Sequence, residues 1–202
     1  MKDDDPGSAL TQKLAEYLET AFKAVHLGRQ SHYAANPGMR PSVNEADAIV
    51  ASYANQNGLI AGAANLVPGP LGTLAVLPEL TLITRNQIQM VYDLGVAHGK
   101  EAQLTPEVLL AVVASAMDDG TAKSILAVQG GKLVIKQLSV KTFQKAILWI
   151  AKKTAQKVLK AIVAKYVPLL GAAAMALWAR QATMSMGRKA SALLASDIVA
   201  ER

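Results

Sequence analysis

Residues 58–99 read GLIAGAANLVPGPLGTLAVLPELTLITRNQIQMVYDLGVAHG. No Asp, Glu, Lys or Arg occurs from Ala48 to Pro78. Small residues crowd the centre, and Pro68, Gly69, Pro70, Gly72 and Pro78 punctuate it. In Pro68-Gly69-Pro70 two ring nitrogens lack a donor and each ring crowds the turn before it, so a regular helix stops and the chain reverses. From Glu79 a helical period takes over, with Leu80, Ile83, Gln87, Met90, Val91 and Leu94 on one face. Arg85, Gln89 and Asp93 mark another face. His98-Gly99 suits a helix end, where glycine adopts the left-handed conformation cheaply. The stretch therefore predicts a buried helical hairpin whose small residues, Gly62 and Ala63 among them, let backbones approach closely.

Working outward, the flanks also read as helices. Ser8 can cap a first helix to about Leu27, with Leu10, Leu14, Tyr17, Leu18, Ala21, Phe22 and Val25 as its apolar stripe. Gly28 is expected to end it, leaving Arg29 to Pro41 as a loop around Asn36-Pro37-Gly38. Ser42-Val43-Asn44-Glu45 fits a capping box. The helix it opens is expected to bend or break near Asn57-Gly58. Thr105-Pro106-Glu107 opens another helix, ending at Met117 before an Asp118-Asp119-Gly120 turn. Residues 121–138 read as one helix or two short ones interrupted at Gly130-Gly131. Ser139 or Thr142 starts a long basic helix to Tyr166, and Pro168 and Gly171 open a last apolar helix that continues through Ala190 to Val199.

Composition narrows the chemistry. Hydrophobic residues make up 51% of the 202, yet aromatics only 4%, so Ala, Leu and Val supply the apolar mass and favour close helix packing. With no cysteine, disulfides and thiolate metal sites are excluded. Met1-Lys2 leads into Asp3-Asp4-Asp5-Pro6 rather than an apolar leader, which points to a cytoplasmic protein. The net charge of +6 hides an asymmetry: residues 1–119 carry 13 acidic and 7 basic side chains. Gly120 to Ser196 carries 13 basic residues and no acid. Such a block seeks an anionic partner, or else the acidic part of its own kind.

Lys141, Lys145, Lys152, Lys153, Lys157 and Lys160 cover most of one side of the basic helix, while Phe143, Ile147, Ile150, Thr154, Val158 and Ile162 lie broadly on the other and Trp149 and Val163 break the pattern. Lysine stems lie along apolar surface while their ammonium groups reach outward, as suits an anionic lipid surface. The block is poor in arginine and aromatics, so nucleic acid ranks below membrane. A true membrane span needs about 20 mostly apolar residues. Residues 58–78 have that length, but Pro-Gly-Pro sits at their centre; a core hairpin fits better, with a re-entrant hairpin as the membrane alternative. His26, His32 and His98 have no partner ligand at i+3 or i+4, so no helical metal pair exists. Glu79, Arg85 and Asp93 could line a polar groove, while Glu79 alone suits a first-turn carboxylate at the helix dipole. Neither a G-x-S-x-G nor a phosphate-loop motif occurs.

The order of an apolar Gly/Ala/Pro hairpin (Pro68 to Gly72), Leu82 to Met90, Leu94, His98-Gly99, then Pro168 with Gly171 resembles two bacterial groups. One is the EcsC-like proteins; the other is the helical domain that follows a GTPase domain in some membrane-associated proteins. The resemblance spans about residues 50–187. It departs from those groups at Glu79, where aspartate is usual, and at His98, where tyrosine precedes the closing glycine. It implies an all-helical bundle with membrane association and transfers no catalytic residue.

Together these readings predict an all-α bundle of six to eight helices forming one domain over 1–202. The N-terminal helix and loop occupy 1–41, and an EcsC-like core with a basic C-terminal part occupies 42–202. The expected function is a non-enzymatic module, without cofactor or metal, that docks on anionic membrane or lipid at the inner face of the membrane. The alternative is a soluble scaffold or homo-oligomer whose basic surface binds an acidic protein or its own N-terminal part.

Overall fold

The computed structural model describes residues 6–64, 77–117, 126–129, 132–136, 139–164 and 171–201. The fold is all-α: among these residues six helices pack together, α1 (Pro6–Ala35), α2 (Ala46–Ala64), α3 (Leu77–Ala97), α4 (Pro106–Met117), α5 (Val140–Ala164) and α6 (Gly171–Leu194). A small sheet accompanies them, with β2 (Lys132–Lys136) between β1 (Leu126–Gln129) and β3 (Asp197–Glu201). β1 and β2 are antiparallel, whereas β2 and β3 run parallel. The Pro68-Gly69-Pro70 reversal with Gly72, the Asp118-Asp119-Gly120 turn and Pro168 lie outside the described residues.

α4 forms the centre because it is apolar on every side. Val108 through Ala114 are all buried, and a helix without a polar face has to be enclosed by others. Thr105 caps it, its Oγ1 accepting from the Val108 N–H at 3.3 Å, with Pro106 in the first turn where a missing N–H costs nothing. α1 lays Leu10, Leu14, Leu18, Ala21, Phe22 and Val25 into the core as the period predicts. The second half of α3 is buried from Met90 to Ala97. Gly99, at φ +71°, closes it in the left-handed conformation.

Four sequence expectations need correction. First, α1 does not stop at Gly28 but continues to Ala35. A mid-helix glycine costs only about 1 kcal/mol, and the turns beyond it carry Arg29 and Tyr33 onto a buried carboxylate. Second, α2 runs unbroken through Asn57-Gly58. Asn57 is fully buried, its Nδ2 donating to Thr183 Oγ1 at 3.0 Å and to the Ile83 carbonyl at 3.4 Å. At Gly58 a Cβ would come within 3.2 Å of the Ala176 carbonyl oxygen. These two residues are where α6 touches α2, not where α2 ends.

Third, residues 126–129 and 132–136 are strands rather than helix. Gln129 pairs with Lys132 in antiparallel register, while Gly130-Gly131 lies outside the described residues. Leu133 and Ile135 are buried while Lys132 is exposed, a period of two that short β-branched runs favour. Fourth, the last helix ends at Leu194, and Asp197–Glu201 crosses to pair with β2. The partner strand lies over 60 residues away in sequence, so nothing local to Ala190–Val199 announces it.

The two arms of the expected hairpin, α2 and α3, do pack together. The most extensive helix packing among the described residues, however, is between α2 and α6. A Cβ on Gly187 would meet Val50 at 2.6 Å, and one on Gly62 would meet the Ala176 Cβ at 3.4 Å. Pairing Val50 with Gly187 and Gly58 with Ala176 makes the two helices antiparallel.

Candidate functional site

α5 starts at Ser139, whose Oγ accepts the Thr142 N–H at 3.2 Å. It buries Ala146, Ile147, Ile150, Ala151, Ala155 and Val158, spaced for one helical face. Opposite, Lys141, Lys145, Lys152 and Lys157 are exposed and Lys153 is half-buried. The Lys153 ammonium lies over the Trp149 ring, 5.7 Å from its centroid. Lys160 belongs to the same helix. Leu148, 52% exposed, stands among these lysines. Among the described residues, none of Lys141, Lys145, Lys152, Lys153 or Lys157 makes an ion pair. The helix is held on α1, where Gln144 Nε2 donates to Glu19 Oε1 at 3.4 Å.

Glu79, Arg85 and Asp93 do not converge. Fourteen residues of α3 separate Glu79 from Asp93, about 21 Å along the axis. Glu79 is buried in the first turn, where its charge meets the positive end of the helix dipole. Arg85 is exposed beside Tyr17 of α1. Burial lifts the Tyr17 hydroxyl above its ordinary pKa, against the pull of that guanidinium.

Asp93 is the centre of a polar latch instead. Arg29 of α1 donates from Nε to Oδ1 at 2.7 Å, and its Nη2 lies 2.6 Å from the same oxygen. Tyr33 accepts from Arg29 Nη2 at 2.9 Å and donates to Oδ1 at 3.0 Å. Tyr53 of α2 donates to Oδ2 at 2.7 Å. Burial, then the Asp93 charge, pushes the Tyr33 hydroxyl up to about 12 and raises that of Tyr53 further. Burial works against the Arg29 charge, but the Asp93 pair outweighs it and holds the guanidinium above its ordinary value. All three donors are already committed, so the group clamps α1, α2 and α3 rather than presenting an acid or base. The sequence reading missed Arg29, Tyr33 and Tyr53; the i, i+4 spacing of Arg29 and Tyr33 was the available signal.

His98 Nε2 lies 2.9 Å from Ser191 Oγ of α6. Burial, then the Lys100 charge, lowers its pKa. Among the described residues no group of three His, Asp or Glu side chains is placed to hold a metal ion.

Between α3, α5 and α6, reaching the end of α4, lies a cavity of about 220 Å³. Leu80, Ile83, Trp178 and Met186 supply its apolar wall, and Lys157 and Lys189 its cationic part. Thr84, Thr154 and Ser185 add hydroxyls.

No family model, no curated protein and no solved structure matches the chain.

Proposed function

We propose that this chain is a non-enzymatic module that attaches peripherally to anionic membrane surfaces through the outer face of α5. One observation carries the reading: four exposed lysines and the half-buried Lys153 lie on one helix, and none of the five makes an ion pair among the described residues. A basic residue near an anionic bilayer contributes about 1 kcal/mol, so five supply roughly 5 kcal/mol before losses. On the affinity scale that lies between millimolar and micromolar, which is reversible attachment. Leu148 and the Trp149 indole provide apolar and amphipathic contacts beside the lysines, as an interfacial helix requires. Among the described residues no helix is long and apolar enough to cross a membrane. The inner face of the membrane, with its anionic lipids, is the surface this charge fits. The reading stands on this geometry, without the resemblance to EcsC-like proteins.

Flotation of the chain with vesicles tests it. Recovery is expected to rise with the anionic lipid fraction and to fall as salt shortens the screening length to about 3 Å at 1 M. Equal recovery on neutral and anionic vesicles overturns the electrostatic part.

The charge asymmetry favours one second reading. Glu16 and Glu19 stand exposed on α1, and a second copy could offer them to the α5 lysines. Light scattering without lipid separates the two: a dimer that dissociates with salt favours self-assembly, and a monomer at every salt concentration favours the membrane.

A further inference from the structure

We propose that Asp3, Asp4 and Asp5 fold back onto the C-terminal half of α5 and hold its lysines until an anionic surface displaces them. This acidic clasp rests on the surface-attachment reading and deepens it, because the same chain then carries the competitor for its own membrane face.

Helix register places the two groups together. α1 and α5 pack side by side. Glu19 of α1 accepts from Gln144 near the start of α5, whereas Leu10 packs with Ala155 and Val158. Moving back from Glu19 to Leu10 therefore matches moving forward from Gln144 to Val158, and the helices are antiparallel. Pro6, where α1 begins, lies about one turn before Leu10. It is level with the turn of α5 that carries Lys157 and Lys160. Asp3, Asp4 and Asp5 immediately precede Pro6 and lie outside the described residues. An extended chain covers about 3.3–3.6 Å per residue, so their backbone stays within about 10 Å of the α1 start. Lys152 stands only about 8 Å further back along the α5 axis than Lys157.

Charge selects the occupant. Lys152 and Lys157 are exposed, and no acid occurs from Gly120 to Ser196, so α5 supplies no carboxylate of its own. Three consecutive carboxylates tethered within reach act at a high effective concentration without any partner having to be recruited. Each exposed ion pair is weak, about a two- to threefold effect, and salt screens it. Such pairs hold the lysines only loosely. A bilayer that presents many anionic headgroups at once can displace them.

Carbodiimide coupling of the dilute full chain tests the contact directly, since it joins only carboxylates and amines that already touch. Without lipid it is expected to link Asp3, Asp4 or Asp5 to Lys152, Lys157 or Lys160, read by peptide mass spectrometry. In a mixture of isotope-labelled and unlabelled chains each link should stay within one copy. Anionic vesicles should suppress the links, and neutral vesicles should leave them. Asp4→Asn with Asp5→Asn should tighten binding to anionic vesicles about fivefold at low salt. Adding Ser52→Asp and Gln181→Asp, at exposed positions of α2 and α6, restores the net charge in another place and should keep most of that gain. Links confined to Lys2 and Lys13, or links shared between copies, overturn the clasp. A charge-restored variant that binds no better than the parent also overturns it, because net charge alone then explains the gain. If the parent binds anionic vesicles and Asp4→Asn with Asp5→Asn brings no gain, the clasp falls and surface attachment stands. If neither binds, both fall.

Discussion

Arg29, Tyr33 and Tyr53 meet one carboxylate that is 5% exposed, and at that scale the chemistry is about keeping a charge paired. Removing one partner of a buried pair leaves the other desolvated, which costs more than the pair contributes. Because the Arg29 side chain keeps 21% exposure, Arg29→Ala is expected to cost about 2–3 kcal/mol, somewhat under the fully buried case. Tyr53→Phe removes a single donor and should cost about 1–2 kcal/mol. Urea unfolding measures both. The tyrosines also fix an alkaline limit. Their folded pKa values lie above the ordinary 10.0, so the unfolded chain loses those protons first. Stability is then complete below pH 10 and declines as pH rises toward 12, and Tyr33→Phe with Tyr53→Phe should flatten that limb. His98 acts at the other end. Its folded pKa is depressed below 6.5, so the unfolded chain binds the proton more readily, and stability falls as pH drops through 6.5. Thermal midpoints between pH 5 and 8 (about the range where imidazole titrates) check this, with His98→Gln expected to remove the slope.

Two glycines separate propensity from packing at the level of the helix. Gly28 lies on an exposed turn of α1 with no atom within 4 Å of a Cβ added there. Gly28→Ala should therefore stabilise by about 0.5–1 kcal/mol through helix propensity alone. Gly187 of α6 gains the same propensity, but its added methyl would sit 2.6 and 2.7 Å from the two Val50 γ-carbons. Valine is stiff at χ1 in a helix and cannot swing aside. Overpacking of about 1–3 kcal/mol then exceeds the gain, so Gly187→Ala should destabilise, and Val50→Ala should relieve it. A double-mutant cycle in denaturant reads the coupling; additivity would mean that α2 and α6 are not in the contact described. The strands belong to the same scale. Leu133 and Ile135 face the core from β2, and the parallel partner β3 brings Asp197 within 2.7 Å of the Lys100 ammonium. That contact, aided by Lys132, holds the Asp197 carboxyl below its ordinary range.

For the whole molecule, charge and stability are separable. The α5 lysines project from a helix already anchored by its apolar face, and none of those described makes an ion pair. Replacing Lys141, Lys145 and Lys152 by Glu should leave unfolding within about 0.5 kcal/mol of the parent. The same variant should lose most of its binding to anionic vesicles, by flotation. A large fall in stability would mean that the lysines serve the fold instead. Much of this layout was legible in the chain. Ser42 and Glu45 signalled the start of α2, where the Glu45 carboxylate accepts from the Ser42 N–H at 2.8 Å. Thr105-Pro106 and His98-Gly99 marked helix ends where they occur. The latch at Asp93 was not legible, since its partners lie 40 to 64 residues away.

By itself the sequence determined the helical class, the apolar stripe of α1, the start of α4 at Thr105-Pro106 and the lysine face of α5. Each follows from local periodicity and caps, which act over one or two turns. Tertiary structure alone decided that α1 outlasts its glycine, that α2 packs most extensively on α6, and that Asp197–Glu201 pairs with β2. Those outcomes depend on contacts between residues far apart in sequence, where burying a partner outweighs a local preference worth about 1 kcal/mol.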